Sequence, residues 1–263
     1  MKFTAQAPYA VRFDWGSRGI ENVANLCPVT VIVDVLSFST CVDIACSRGA
    51  KIIPYQHKDE TASVFAKENH AVLAKPRADT RTGLSLSPTS LMGIEVGTRV
   101  VLPSPNGSAL TVLCTSPLVV SACLRNAAAV AEYLQRVKGP IAVVAAGERW
   151  ADDSLRPCFE DLVGAGAVIH ALSGLKSPEA DVAEAAFVST RNRIAEMLKE
   201  CASGVELESR DFGADVSVAA ELGVSRCVPI FVDGVYVRAD GPAAERTSRI
   251  EPREAARLQR CRR

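Results

Sequence analysis

The chain has 263 residues and a mass of 28.0 kDa, and 48% of its residues are hydrophobic, ample for one large domain or two small ones around a buried core. Thirty Lys plus Arg balance thirty Asp plus Glu, so no global field draws the chain to nucleic acid, anionic lipid or a basic partner. Three histidines, His57, His70 and His170, stand far apart in no metal-ligand spacing, which excludes a histidine-rich binuclear centre and a zinc HExxH site.

In chain order, Val29 to Val35 is β-branched, short and nearly continuous in apolar character, the pattern of a strand buried on both faces of a parallel sheet. A helix should follow, capped by Ser39-Thr40 and ended at Gly49. The alternation then repeats: strand Lys51 to Pro54, helix Lys58 to Asn69, a weaker strand Ala71 to Ala74, strand Thr98 to Leu102, helix Asn106 to Cys114, strand Val119 to Ala122, helix Asn126 to Val137 and strand Ile141 to Ala145. Helices are expected over Pro157 to Leu172, Pro178 to Cys201 and Val216 to Leu222, with a last strand at Val228 to Val232 before Asp233-Gly234. Such alternation implies βαβ units and an α/β fold with a mostly parallel sheet. The stretch from Pro76 to Gly97 has no clear period, and a loop of that length is commonly functional. Residues 1–238 read as one domain, with a division into two subdomains near 125–140 left open, and 239–263 as a polar basic tail.

Ligands of open α/β sheets bind beyond the carboxyl ends of the strands, where loops enter helix N-termini. Three such ends carry candidates here. In the first, Asp34 interrupts a buried apolar strand and needs a cation, a hydrogen-bonded partner or the amides of the next helix, while Ser39 and Thr40 either cap that helix or meet an anion. In the second, Ser104, Asn106, Gly107 and Ser108 place side-chain donors around an Asn-Gly turn with exposed amides. In the third, Gly147, Arg149 and Arg156 occupy a long polar loop that leads to Glu160-Asp161 at a helix start, followed by Gly164-Ala165-Gly166, small residues suited to close packing on the sheet. Acids and arginines gathered in this way suit an anionic substrate with Mg²⁺, a hard cation served by oxygen ligands.

The same residues remove several mechanisms. Leu36 follows Asp34 by two, so the Asp-x-Asp of haloacid-dehalogenase phosphatases is absent, and no cysteine is followed by an arginine six positions on. There is no Gly-x-Ser-x-Gly elbow and no Walker loop. Nine cysteines, an odd number without a CxxC, argue against a disulfide framework and for a reducing cytosol. The N-terminus lacks an apolar signal core and no run approaches a membrane span, so a soluble cytoplasmic protein is expected, a homodimer by base rate.

The blocks Val-Ile-Val-Asp34-Val-Leu-Ser-Phe-Ser39-Thr40, Ser104-Pro-Asn106-Gly107-Ser108-Ala-Leu, Asn126-Ala-Ala-Ala-Val-Ala, Ala146-Gly147, Glu160-Asp161, Gly164-Ala-Gly166 and Asp215-Val216, in this order over residues 29–235, resemble the 2-phosphosulfolactate phosphatase (ComB-like) family. The resemblance implies a three-layer α/β/α fold and Mg²⁺-dependent hydrolysis of 2-phosphosulfolactate to 3-sulfolactate and phosphate. The family pattern Asp-Val-Leu-Arg becomes Asp-Val-Leu-Ser here, so Ser37 removes a fixed positive charge from the expected anion site, for which Arg125, Arg149 or Arg156 could compensate. Asp34, Glu160 and Asp161 are then expected to hold the metal, directly or through water, with Asp215 as a further metal or base candidate. Two alternatives stay open: a non-catalytic sensor of a phosphorylated or sulfonated metabolite on the same fold, and an acid-sugar or nucleotide enzyme, the latter poorly served by 5% aromatic residues.

Overall fold

The computed structural model describes residues 3–57, 59–77 and 83–239; the expected basic tail lies, from residue 240 onward, outside them. The elements run β1 (Val11–Trp15), α1 (Gly16–Asn22), β2 (Val29–Val33), α2 (Phe38–Ser47), β3 (Lys51–Tyr55), α3 (Thr61–Glu68), β4 (Val72–Leu73), α4 (Pro88–Leu91), β5 (Arg99–Pro103), α5 (Gly107–Leu113), β6 (Leu118–Ala122), α6 (Ala127–Leu134) and β7 (Ile141–Ala145). They continue with β8 (Glu148–Arg149), β9 (Leu155–Arg156), α7 (Phe159–Ala171), α8 (Pro178–Thr190), α9 (Ile194–Glu200), α10 (Ala202–Ser209), α11 (Gly213–Ala219), β10 (Pro229–Val232) and β11 (Val235–Arg238).

Nine strands form one sheet in the order β1-β7-β2-β6-β10-β11-β3-β5-β4, covered by helices on both faces as a three-layer α/β/α arrangement. The run of valines explains the centre. All five residues of β2, β6 and β7 are buried, as continuous apolar strands with two covered faces must be. Val29, Val31 and Val33 point to the layer of α6, α7 and α8, where they meet Val130, Val168 and Ala183. Ile32 points the other way, to Ile20 of α1 and Leu110 of α5.

The sheet is two parallel blocks rather than one. β1, β7, β2 and β6 pair in parallel, as do β3, β5 and β4. Between them stands the hairpin β10–β11, antiparallel to β6 on one side and to β3 on the other, so the two blocks run in opposite senses. Its turn is Asp233-Gly234, both at positive φ (50° and 82°), the two-residue geometry that matches strand twist. The sequence reading stops at the Asp-Gly signal and does not foresee β11. It also omits β1, whose Arg12 and Asp14 break its apolar run, although all five of its residues pair with β7. The helix expected over Pro178 to Cys201 divides into α8 and α9 at Arg191–Arg193, a 3₁₀ turn with no buried residue.

The small residues of α7 set its close approach to its neighbours. A Cβ on Gly164 would stand 2.5 Å from Val35 Cγ2 and 3.0 Å from Val33 Cγ1, so this glycine lets α7 lie on β2. Gly166 faces α8 instead, where a Cβ would be 2.0 Å from the Ala183 carbonyl oxygen. Among the described residues no helix is long and apolar enough to cross a membrane.

Candidate active site

The carboxyl end of β2 turns sharply into α2, and hydroxyl groups build that turn. Ser39 Oγ accepts from the Asp34 amide at 3.0 Å and donates to the Ile32 carbonyl at 3.3 Å, while Thr40 Oγ1 donates to the Val35 carbonyl at 2.7 Å. Both hydroxyls are therefore engaged by backbone. Asp34, only 5% exposed, accepts the Phe38 amide on Oδ1 at 3.0 Å. That is the bond to the next helix which a structural acid would make. It also accepts the Gly107 amide on Oδ2 at 2.8 Å, from a different strand end.

Gly107 belongs to the Asn-Gly turn after β5. Four strands stand between β2 and β5 in the sheet, and the two blocks run in opposite senses, yet the turn after β5 reaches Asp34. Ser104 Oγ accepts the Asn106 amide at 3.3 Å, and Ser108 Oγ donates to the Leu102 carbonyl at 2.8 Å, so both shape the turn. Asn106 Nδ2 donates to Glu148 Oε2 at 2.9 Å and so ties the second loop to the third.

In the third loop, Gly147 takes φ +67°, and its amide donates to Asp161 Oδ2 at 2.8 Å. A Cβ there would lie 2.7 Å from Leu155 Cδ1, so glycine is required by space as well as by conformation. Asp161 Oδ1 accepts the Val35 amide at 2.7 Å across the sheet. Glu160, 2% exposed in the first turn of α7, receives Cys201 S–H on Oε2 at 3.5 Å. Asp34, Glu148, Glu160 and Asp161 thus stand near enough to feel one another's charge, each held by a donor from another segment.

Crowding acids without a counter-ion changes their protonation. Burial, then the negative charges of Glu148 and Glu160, push Asp34 up to about 7 against the pull of its two amide bonds. Burial, then Asp34 and Glu160, likewise hold Asp161 well above the ordinary carboxylate range. Asp34 is thus one of the charges that raise Asp161, and Glu160 raises both.

The remaining candidates sit elsewhere. Arg125 pairs through Nε with the wholly buried Asp43 at 3.1 Å and through Nη1 with Glu221 and the Val218 carbonyl, a structural tie between α2 and α11. Arg149 is exposed and bonds the Asp153 carbonyl at 3.3 Å. Arg156, paired with Glu148 across β8–β9, donates to Ser203 Oγ at 3.2 Å and lies over Trp150. Asp215 is engaged away from the other acids: its Oδ1 accepts from Ser87 Oγ, Thr89 Oγ1 and the Thr89 amide, and its Oδ2 faces Arg77 Nε at 3.4 Å.

Two residues of the site escape the sequence reading. Glu148 follows Gly147 directly in a loop already singled out, but an acid in a polar loop carries no distinguishing signal. Arg77 opens the long stretch without a period, and its Nη2 donates to Ser37 Oγ at 2.5 Å. A cation therefore stands beside Ser37 after all, delivered by a distant loop.

The acids also bear on a divalent cation. Among the described residues no three histidine, cysteine, aspartate or glutamate side chains form a ready-made metal cage. Mg²⁺ does not need one, since it is usually held by one or two carboxylates and keeps much of its water. Each oxygen of Asp34 and Asp161 accepts a single amide in the bonds above and has a second lone pair, and the mutual repulsion of these acids is what a hard cation would relieve. The donor set fits.

The chain is similar to proteins of one family. The family model described as 2-phosphosulpholactate phosphatase matches residues 18–234. A protein of Thermotoga petrophila named "Probable 2-phosphosulfolactate phosphatase" is 29% identical over 221 residues, covering 82% of this chain and 94% of the relative. Relatives of the same name from Thermosynechococcus vestitus and Pseudothermotoga lettingae are 26% and 23% identical, over 86% and 80% of this chain and 94% and 92% of their own lengths. The matched span contains every strand from β2 to β10 and all the acids of the site, so this chain belongs to the 2-phosphosulpholactate phosphatase family and, with it, to the phosphoric monoester hydrolases.

Proposed function

We propose that the protein hydrolyses 2-phosphosulfolactate, or a phosphate monoester of the same size and charge, with Mg²⁺ held by Asp34 and by Glu160 or Asp161. The observation that carries this reading is the gathering of four carboxylates at the strand ends, two of them raised by burial and then by the charges of neighbouring acids. A phosphoryl group approaching such a cluster would itself be repelled, so an anionic substrate and an acidic site are compatible only with a cation between them. Bound there, Mg²⁺ would supply Lewis-acid neutralisation of the phosphoryl oxygens and polarise a water.

The chain's own residues then orient the acids. Asp34, fixed by the Phe38 and Gly107 amides, is oriented without freedom to rotate, so that its remaining lone pairs would face the ion and the water beside it. Asn106 keeps Glu148 turned to the same place, and Cys201 does so for Glu160. Asp34→Asn would test the reading: Mg²⁺-dependent phosphate release from 2-phosphosulfolactate should fall by at least about 10³-fold while the variant stays folded. Release that is unchanged in the variant, or equal in EDTA and in Mg²⁺ for the parent, would refute it.

A further inference from the structure

Arg77 faces two ways. On one side it bonds Ser37, the residue immediately before Phe38, whose amide holds Asp34. On the other it lines a cavity of about 300 Å³ together with Lys75, Arg210 and Asp59. Among the described residues, three cations and one carboxylate line that cavity; Arg210 is paired with Glu206 at 3.0 Å and Arg77 faces Asp215, which leaves the Lys75 ammonium and the outer guanidinium nitrogens of Arg77 as its cationic groups. Pro103, at the end of β5, lines it too, four residues before Gly107, whose amide holds Asp34.

The hold on Arg77 is incomplete. Among the described residues its Nε and the Asp215 Oδ2 it faces, both buried atoms, have no hydrogen-bond partner, so charge attraction at 3.4 Å, rather than a closed fork, holds the guanidinium to Asp215. Phe212 supports its face at 5.5 Å. A partly exposed guanidinium, open to the cavity on one side and bonded on the other to Ser37 beside the acidic site, is arranged to meet a second anion.

We infer that Arg77, with Lys75 behind it, forms a second anion subsite of this phosphatase. It takes a carboxylate or sulfonate substituent of the substrate, while the ester phosphate lies at Asp34. The subsite rests on the proposed function for the phosphate end only. Arg77 would supply, from the loop after β4, the fixed positive charge that Ser37 does not.

The test compares the full-length parent and Arg77→Ala on 2-phosphosulfolactate and on a plain alkyl phosphate of similar length. The ratio of kcat/KM for the first over the second should fall by about 10–100-fold in the variant, mainly through KM. A merely structural arginine would lower both values alike, and an unchanged ratio overturns the inference. Calorimetric titration with 3-sulfolactate, which has both substituent anions and no phosphate, reads the subsite without turnover. Binding should weaken at least tenfold in Arg77→Ala, and equal binding overturns the inference. If the parent hydrolyses no ester, the proposed function fails while this titration still decides the subsite. Should Arg77→Ala not fold, Arg77→Lys retains a counter-charge for Asp215 and is read in the same two assays, with a smaller fall in the same direction expected and no fall overturning the inference.

Discussion

Gly107 is where the fold and the site are most tightly joined, and replacing it by alanine has a calculable consequence. A Cβ at this position would lie 2.2 Å from Phe38 Cδ1, 2.7 Å from Cγ and 2.8 Å from Asp34 Oδ2, where ordinary contact begins at 3.4 Å. Something must move by about 1 Å. The Phe38 ring is wholly buried and meets Tyr236 edge-on at 6.1 Å, so it has no free direction. Overpacking of this kind costs about 1–3 kcal/mol. Displacing the amide from Asp34 weakens a hydrogen bond to an acidic group, worth about 1.5–3 kcal/mol when fully made. Part of each can relax, so a loss of about 2–4 kcal/mol is expected, or roughly 5–15 °C in Tm for a chain of this length. Scanning calorimetry and denaturant titration would measure it, with phosphate release assayed well below the lowered Tm. There activity should fall more than tenfold, because Asp34 loses its orientation as well as its support. Gly93, whose added Cβ would meet nothing within 4 Å, is the control and should tolerate alanine without loss of stability. A Tm for Gly107→Ala within 1 °C of the parent, or full activity, would refute the reasoning.

The raised acids make stability depend on pH in a definite direction. An unfolded aspartate ionises near pH 4, whereas Asp34 keeps its proton up to about 7, so the folded state binds more protons between these values. In EDTA, stability should fall as pH rises from about 4 to about 7, by up to about 4 kcal/mol from this group, and level off above; Glu148→Gln, which removes the largest neighbouring charge, should shrink the fall. Urea midpoints at pH 5, 7 and 8 would show it, and a midpoint that rises from pH 5 to pH 7 would contradict it. Arg125→Ala should cost about 3–5 kcal/mol by leaving Asp43 buried without its cation, yet change KM of the folded fraction less than twofold. A large rise in KM would instead place Arg125 in the substrate site.

The central parallel strands, and the acid that ends one of them, are legible in the residues alone. Val29 to Val33 and Ile141 to Ala145 could only be buried on both faces, and an aspartate at the end of such a strand had to find partners. Residues adjacent in the chain and governed by periodicity were legible, as were the glycines that close packing demands at 164 and 166. What only the tertiary structure decided is which distant segments meet. The hairpin β10–β11 reverses the second block of the sheet, a pairing between residues more than a hundred positions apart that no local pattern encodes. In that fold Gly107 reaches Asp34, Asn106 reaches Glu148 and Arg77 reaches Ser37, contacts between segments far apart in the chain. The hydroxyls of Ser39, Thr40 and Ser108 look like ligands in the sequence because side-chain chemistry is visible there; that backbone carbonyls engage them is visible only once the chain has folded. Arginine followed the same rule in reverse. A long side chain is placed by what it pairs with, so the buried Asp43 drew Arg125 away from the site, and the carboxylate of Asp215 held Arg77 beside Ser37.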